Sequence, residues 1–427
     1  MTSFRQIQLP NGINLIIHPT KKFKTVLAQL VFHRLLRRED VTAASLFPAV
    51  LQRGCASYPT RQLLAYRLEE LYGTELAAAV IKKGERLLIS FTLDLVHDQY
   101  LPAEDDLLRK GLEILCDVVT NPVTEGGGFR ADYVSQEKEQ HEKVIRGLIN
   151  DKVAYAQERC LQEMCADEPF GVFKYGTLEQ LAAQQPESLY AFYRRSLAES
   201  PAELHIIGDV DAGAVGALVE EIFHFPRDKA VVTPETLIRK QVAEVRYLRE
   251  ELDINQGKLV MGFRTGLTYG DEDYFPLLMY NGILGAFPHS KLFQNVREKA
   301  SLAYYAYSRL EKHKGLMIIS SGIEMENYER ALEIIDSQVK CMAQGEISEE
   351  EFTNTVSGLR NHFLVEEDNP GLIVNRAIDD ALAGRTEDTA RLLERLEAVT
   401  LEDVVRVAGQ VELDTVYFLT GKGGVRK

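Results

Sequence analysis

No stretch of this sequence stays apolar for long. The longest apolar runs, such as LLISFTLDL (87–95), are short and interrupted. They exclude a bilayer-spanning helix, which needs about 20 apolar residues. The opening MTSFRQIQLPNG has no apolar signal core. Cysteine is scarce: five residues (Cys55, Cys116, Cys160, Cys165, Cys341), an odd number without CxxC spacing. That pattern suits reduced thiols and a cytoplasmic location. Cys160 and Cys165 lie five apart on a predicted helix, where small buried hydrophobes are expected. Basic residues are outnumbered, 49 against 64, for a formal charge of −15. This argues against a nucleic-acid partner, which requires basic patches. The plain reading is an acidic surface that keeps the protein soluble; the sharper one is attraction of basic peptides. GxSxG, P-loop and dinucleotide fingerprints are missing. The nine histidines (18, 33, 97, 141, 205, 224, 289, 313, 362) are never closer than 15 residues. No single helix can therefore present the two imidazoles that a zinc helix needs.

What is present is the composition of a globular protein, 45% apolar and 26% charged over 427 residues. That length calls for more than one core. A faint duplication organises it. LYGTELAAAVIKKGERLLISFTL (71–93) reads as strand, turn at Lys83-Gly84, strand, and LAYYAYSRLEKHKGLMIISSGI (302–323) repeats this around His313-Lys314-Gly315. Amphipathic helices follow each, through Leu108, Leu112, Leu115 and Val119, and through Leu332, Ile335, Val339 and Met342. A further helix follows in each half, and in the second it opens with the capping box Ser348-x-x-Glu351. Each half closes on a strand, ELHIIG (203–208) and TVYFLTG (415–421). The expectation is an α+β protein of two duplicated units, 1–228 and 240–427, each an antiparallel sheet covered by helices. The seam falls in the polar, two-proline stretch 225–242.

The segment AASLFPAVLQRGCASYPT (43–60) resembles the zinc helix of the insulinase/pitrilysin peptidases, roughly HFLEHMLFKGTxxYP. The likeness continues through LPNGINLII (9–17), SYPTRQLLAYRLEELYG (57–73), EPFGVFKYGTLEQLAAQQPESLYAFYRRSL (168–197) and ELHIIGDVD (203–211). The resemblance implies the family fold, with paired chains closing around a peptide chamber. Aligned on Gly54 and Tyr58-Pro59, the two histidines fall on Ser45 and Ala49 and the catalytic glutamate on Pro48. The third ligand, seven residues after Glu137, falls on Val144. All four roles are lost together, so no metal is expected on this chain. His141, one turn before Val144, is expected as a hydrogen-bonded structural residue rather than a ligand.

LGAFPHSKLFQNVREKASLAYYAYS (284–308) resembles LGGGxxSRLFxxVREKxGLAYxVxS and keeps its Arg/Tyr pair as Arg297 and Tyr304. The resemblance implies that these bind the substrate backbone and stabilise the oxyanion. An ordinary surface arginine and a half-buried aromatic strand would read the same way. Tyr305, on the opposite strand face, is not expected to share the role. With a single glycine, Gly285, the preceding loop is shorter than in related chains, and no mobile substrate-sensing loop is expected. Leu76, Ala77, Ala78, Ala79 and Val80 form the candidate edge strand for peptide addition; an ordinary packed strand fits them equally. The function implied is a zinc-less subunit of a two-chain peptidase, its zinc-bearing homologous partner performing the hydrolysis. A homodimer is left open, and the alternative is a structural or scaffolding homologue.

Overall fold

The structure, a computed structural model, describes residues 4–102, 105–228, 235–238 and 241–422. The predicted seam lies partly outside them, as does the predicted start at 240. The chain forms two compact units. One comprises Met1–Arg146, Val172–Glu235 and Asp368–Arg376; the other comprises Gly147–Gly171, Thr236–Glu367 and Ala377–Lys427.

The first unit is built on strands β1 (Arg5–Gln8), β2 (Ile13–Pro19), β3 (Thr25–Leu35), β4 (Glu75–Lys83) and β5 (Arg86–Val96). A small hairpin, β6 (Thr124–Glu125) and β7 (Gly128–Phe129), precedes β8 (Ala202–Gly208). The main sheet runs β1-β2-β8-β3-β5-β4. The LPNGINLII segment begins as a turn rather than a strand: Gly12 donates to the Leu9 carbonyl at 2.9 Å and has φ +81°. The helices are α1 (Val41–Leu51), α2 (Arg61–Glu70), α3 (Leu107–Thr120), α4 (Ala131–Gly147), α5 (Lys152–Met164, in the second unit), α6 (Leu178–Ala183), α7 (Pro186–Glu199) and α8 (Ala212–Ile222). Alternate residues Val26, Ala28, Leu30 and Phe32 of β3 share one core with Phe47 of α1 and Leu112 of α3.

The second unit carries β9 (Arg246–Leu252), β10 (Gly257–Arg264), β11 (Ala303–Glu311), β12 (Leu316–Ile323) and β13 (Glu412–Gly421). Its helices are α9 (Tyr274–Asn281), α10 (Tyr328–Ala343), α11 (Glu349–Glu366), α12 (Pro370–Leu382, whose start lies in the first unit), α13 (Thr389–Glu397) and α14 (Leu401–Ala408). The sheet runs β11-β12-β10-β13-β9. Mapping β4, β5, β3, β8 and β2 onto β11, β12, β10, β13 and β9 reproduces order and direction, so the duplication is real; β1 is extra. In each sheet one pair is parallel, β2 with β8 and β13 with β9. The later strand of each pair, β8 or β13, enters after a long helical crossing rather than a hairpin, which permits the parallel direction.

Every residue of β10 and β12 is buried. One face packs Leu259, Met261 and Ile319 against the helices of this half. The other packs Val260, Leu316, Ile318, Tyr417 and Leu419 against Cys160, Leu161 and Met164 of α5. Double coverage explains why these strands are apolar without alternation.

Candidate functional site

α1 is the element in which the resemblance places a metal. All but one of its residues are buried, as expected of a helix that is apolar all round. The Ser45 hydroxyl donates back to the carbonyls of Val41 (2.8 Å) and Thr42 (3.2 Å). Pro48 lies inside the helix, and Ala49 offers a methyl. Val144 on α4 is 46% exposed. His141 does face Ser45, with Nε2 3.5 Å from the hydroxyl oxygen. That nitrogen, however, donates to the Tyr175 carbonyl at 2.7 Å. A ring nitrogen that carries and donates a proton has no lone pair for a metal. Burial depresses the His141 pKa, against the opposing pull of the Tyr175 carbonyl and Glu137. Among the described residues no group of three His, Cys, Asp or Glu can hold an ion. The residues present do not fit zinc.

Other groups tie the region together. Arg53, one turn beyond Ala49, pairs with Glu137 and donates to Gln136 Oε1 at 2.8 Å, fastening α1 to α4. Beside them opens a hollow of ≈ 210 Å³ lined by Leu64, Leu68, Leu76 and Arg61. The glycine and YP of the motif persist for packing. A Cβ on Gly54, at φ +150°, would lie 2.6 Å from the Tyr58 carbonyl oxygen. The GT of the later motif docks on the start of α1, where Thr42 Oγ1 would sit 1.8 Å from a Cβ at Gly176.

Arg297 and Tyr304 sit on irregular backbone. Instead of an ordinary α-helix, VREK forms a π-turn, Phe293–Lys299, matched by a second one at Gly282–Ala286. Such turns gather at functional sites. The Arg297 guanidinium lies over the Phe293 ring (4.5 Å to its centroid), with a loose 3.5 Å ion pair to Glu298. Among the described residues this loose pair is the one polar contact of the guanidinium. Ser301 then takes φ +51°, where the family pattern has glycine. For a residue with a Cβ this costs about 1 kcal/mol.

Pairing across β11 and β12 jumps from Ala303↔Ile323 to Tyr305↔Gly322, which makes Tyr304 the extra residue of a β-bulge. Bulges re-aim side chains at sheet edges. Tyr304 is 62% exposed, and its hydroxyl donates to Glu324 Oε1 at 2.6 Å. That bond and the Glu324 charge raise the phenol's pKa. Tyr305 is half-buried and lies over Gly322, where a Cβ would come within 2.5 Å of its ring; Lys258 Nζ is 5.6 Å from the ring centroid. Gly285 is a packing glycine, with a Cβ there 2.5 Å from the Ser308 nitrogen.

β4 is the edge of its sheet, with Ala77 and Ala79 exposed. Its outward carbonyls at Leu76 and Val80 already accept from Gln52 Nε2 (3.1 Å) and Lys174 Nζ (3.3 Å). Sequence reasoning missed these two guards, the Arg53–Glu137 tie and Glu324. Only the Glu324 contact had a sequence trace, since it follows from the pairing of the predicted 302–323 hairpin.

A family model described as the peptidase M16 inactive domain matches residues 185–359. The probable inactive metalloprotease YmfF of Bacillus subtilis strain 168 is 38% identical over 415 residues, covering 97% of each chain. The uncharacterized zinc protease YmxG of the same strain is 22% identical over 317 residues, covering 73% of this chain and 75% of its own. A conserved protein from Enterococcus faecalis V583 superposes with a TM-score of 0.90 at 31% identity, over 99% of this chain and 100% of its own. The chain belongs to the M16, or insulinase-type, peptidase family.

Proposed function

We propose that this chain is the non-hydrolysing subunit of a two-chain M16 peptidase. Arg297 and Tyr304 hold the substrate main chain, and a zinc-bearing homologue in the cytoplasm performs the hydrolysis. One asymmetry carries this reading. At the positions where the resemblance places the metal, Ser45 and Pro48 are buried in packing and Ala49 and Val144 offer no ligand atom, whereas Arg297 and Tyr304 stay exposed on a π-turn, a left-handed serine and a bulge, irregularities that packing alone does not require. Guanidinium donors suit peptide carbonyls. Bacillus subtilis strain 168 supports the pairing, since it holds both a relative named as inactive and one named as a zinc protease.

Purified alone, the chain is expected to cleave nothing and to bind no stoichiometric zinc. Mixed with a zinc-bearing homologue from its own genome, it is expected to raise peptide cleavage. Arg297→Ala should then lower kcat/KM of the mixture by about 100-fold, the scale of losing one well-placed donor. One zinc per chain, or an undiminished mixture, would falsify the reading. The scaffolding alternative draws on the occupied carbonyls of β4, and it expects no activation in the same assay.

A further inference from the structure

The Tyr304 hydroxyl has one proton, and Glu324 already receives it. The 2.6 Å separation is that of a charge-assisted O–H···O⁻ bond. A carboxylate only accepts, so the direction is fixed. The phenol is then left with lone pairs to offer. Arg297 is the opposite kind of group, with donors and no acceptor. The bulge at Tyr304 lies across from the end of β12, and Glu324 is the first residue beyond that strand. Donor and acceptor therefore come from the two ends of one short segment, residues 297–304, with Glu324 fixing the polarity of the second.

A peptide main chain offers one N–H and one C=O per residue. Resting on the reading that Arg297 and Tyr304 hold a peptide, we infer that Tyr304 receives a substrate N–H, with Glu324 as its positioning residue, and that Arg297 alone takes the carbonyl. Tyr304 in this chain is then an acceptor of main-chain amides and not a donor to the oxyanion.

Two measurements test this. Fluorotyrosine placed at position 304 of the full chain reports the phenol by fluorine NMR. Its titration midpoint is expected to fall in Glu324→Gln; an unchanged midpoint overturns the contact, whatever peptides do. The second uses an unstructured model peptide cleaved by the mixed pair, and analogues in which one main-chain N–H at a time is replaced by an ester oxygen. One ester is expected to raise KM about threefold to tenfold, with no further loss from it in Tyr304→Phe and a reduced loss in Glu324→Gln. If Tyr304→Phe weakens the parent peptide but no ester is sensitive to Tyr304, the inference falls and the substrate-holding role stands. If neither Arg297→Ala nor Tyr304→Phe affects the parent peptide, that role falls and the inference with it.

Discussion

His18 shows how one buried side chain sets a response to acid. It stacks on His205, with ring centroids 5.8 Å apart, and lies within the field of Arg376. Burial first, then these two neighbours, push its pKa down to about 4. Above pH 6.5 neither folded nor unfolded His18 is protonated. Between 6.5 and 4 the unfolded chain gains a proton that the folded one refuses, so stability drains away as pH falls, by roughly 3 kcal/mol. His18→Gln is expected to flatten the dependence of the urea midpoint between about pH 7 and about pH 4.5. A slope equal to that of the parent chain would refute the assignment. At this scale the sequence was legible where a motif gave a frame: Ser45, Pro48, Ala49 and Val144 were recognisable as losses against a pattern. Lys314 was not. Its sequence says turn residue, yet its ammonium is fully buried against Glu168 at 2.6 Å.

That ion pair belongs to the attachment of an element. Glu168 receives Lys314 on one oxygen and Arg264 (2.8 Å) on the other, and Arg264 reaches Asp414 at 2.7 Å. The network pins the turn after α5 to the second sheet and gives the EPFG motif a structural reason. Glu168→Ala leaves two buried cations without this carboxylate and should cost about 3–5 kcal/mol in urea unfolding. A loss under about 1 kcal/mol, the level of an exposed pair, would contradict this account. Hairpins were readable from sequence because Gly84 and Gly315 sit at φ +55° and +65°, conformations that glycine adopts freely. The π-turns were not, since a π-turn and an α-helix bury the same VREK pattern and differ only in hydrogen bonding. The guards on β4 were hidden for a similar reason. Gln52 and Lys174 are far from that strand in sequence, and no periodicity marks a side chain that caps a distant carbonyl.

Across the whole molecule, the duplication was visible because repeated strands, turns and capping signals survive sequence drift. The exchange of segments was not visible. Residues Gly147–Gly171 precede the seam yet complete the second unit. An amphipathic helix declares that it covers an apolar face without saying which one. A carboxyl-terminal piece starting at residue 241 would lack α5 and uncover Val260, Leu316, Ile318, Tyr417 and Leu419. Expressed alone it is expected to be insoluble, and co-expression with residues 1–228 should recover soluble material. A soluble, cooperatively unfolding 241–427 fragment would count against the role given to α5. The burial of α1 has a further consequence. A histidine at position 45 must be forced beside His141, and a glutamate at 48 must be placed in an apolar core, each at a cost of about 1–3 kcal/mol. Neither returns any affinity until a full set of three ligands stands together. At Ser45 and Pro48 a single step back puts a polar group into packed surroundings and is, by itself, neutral in chemistry. With α1 packed as it is, a metal site forms on this chain only through several coordinated substitutions.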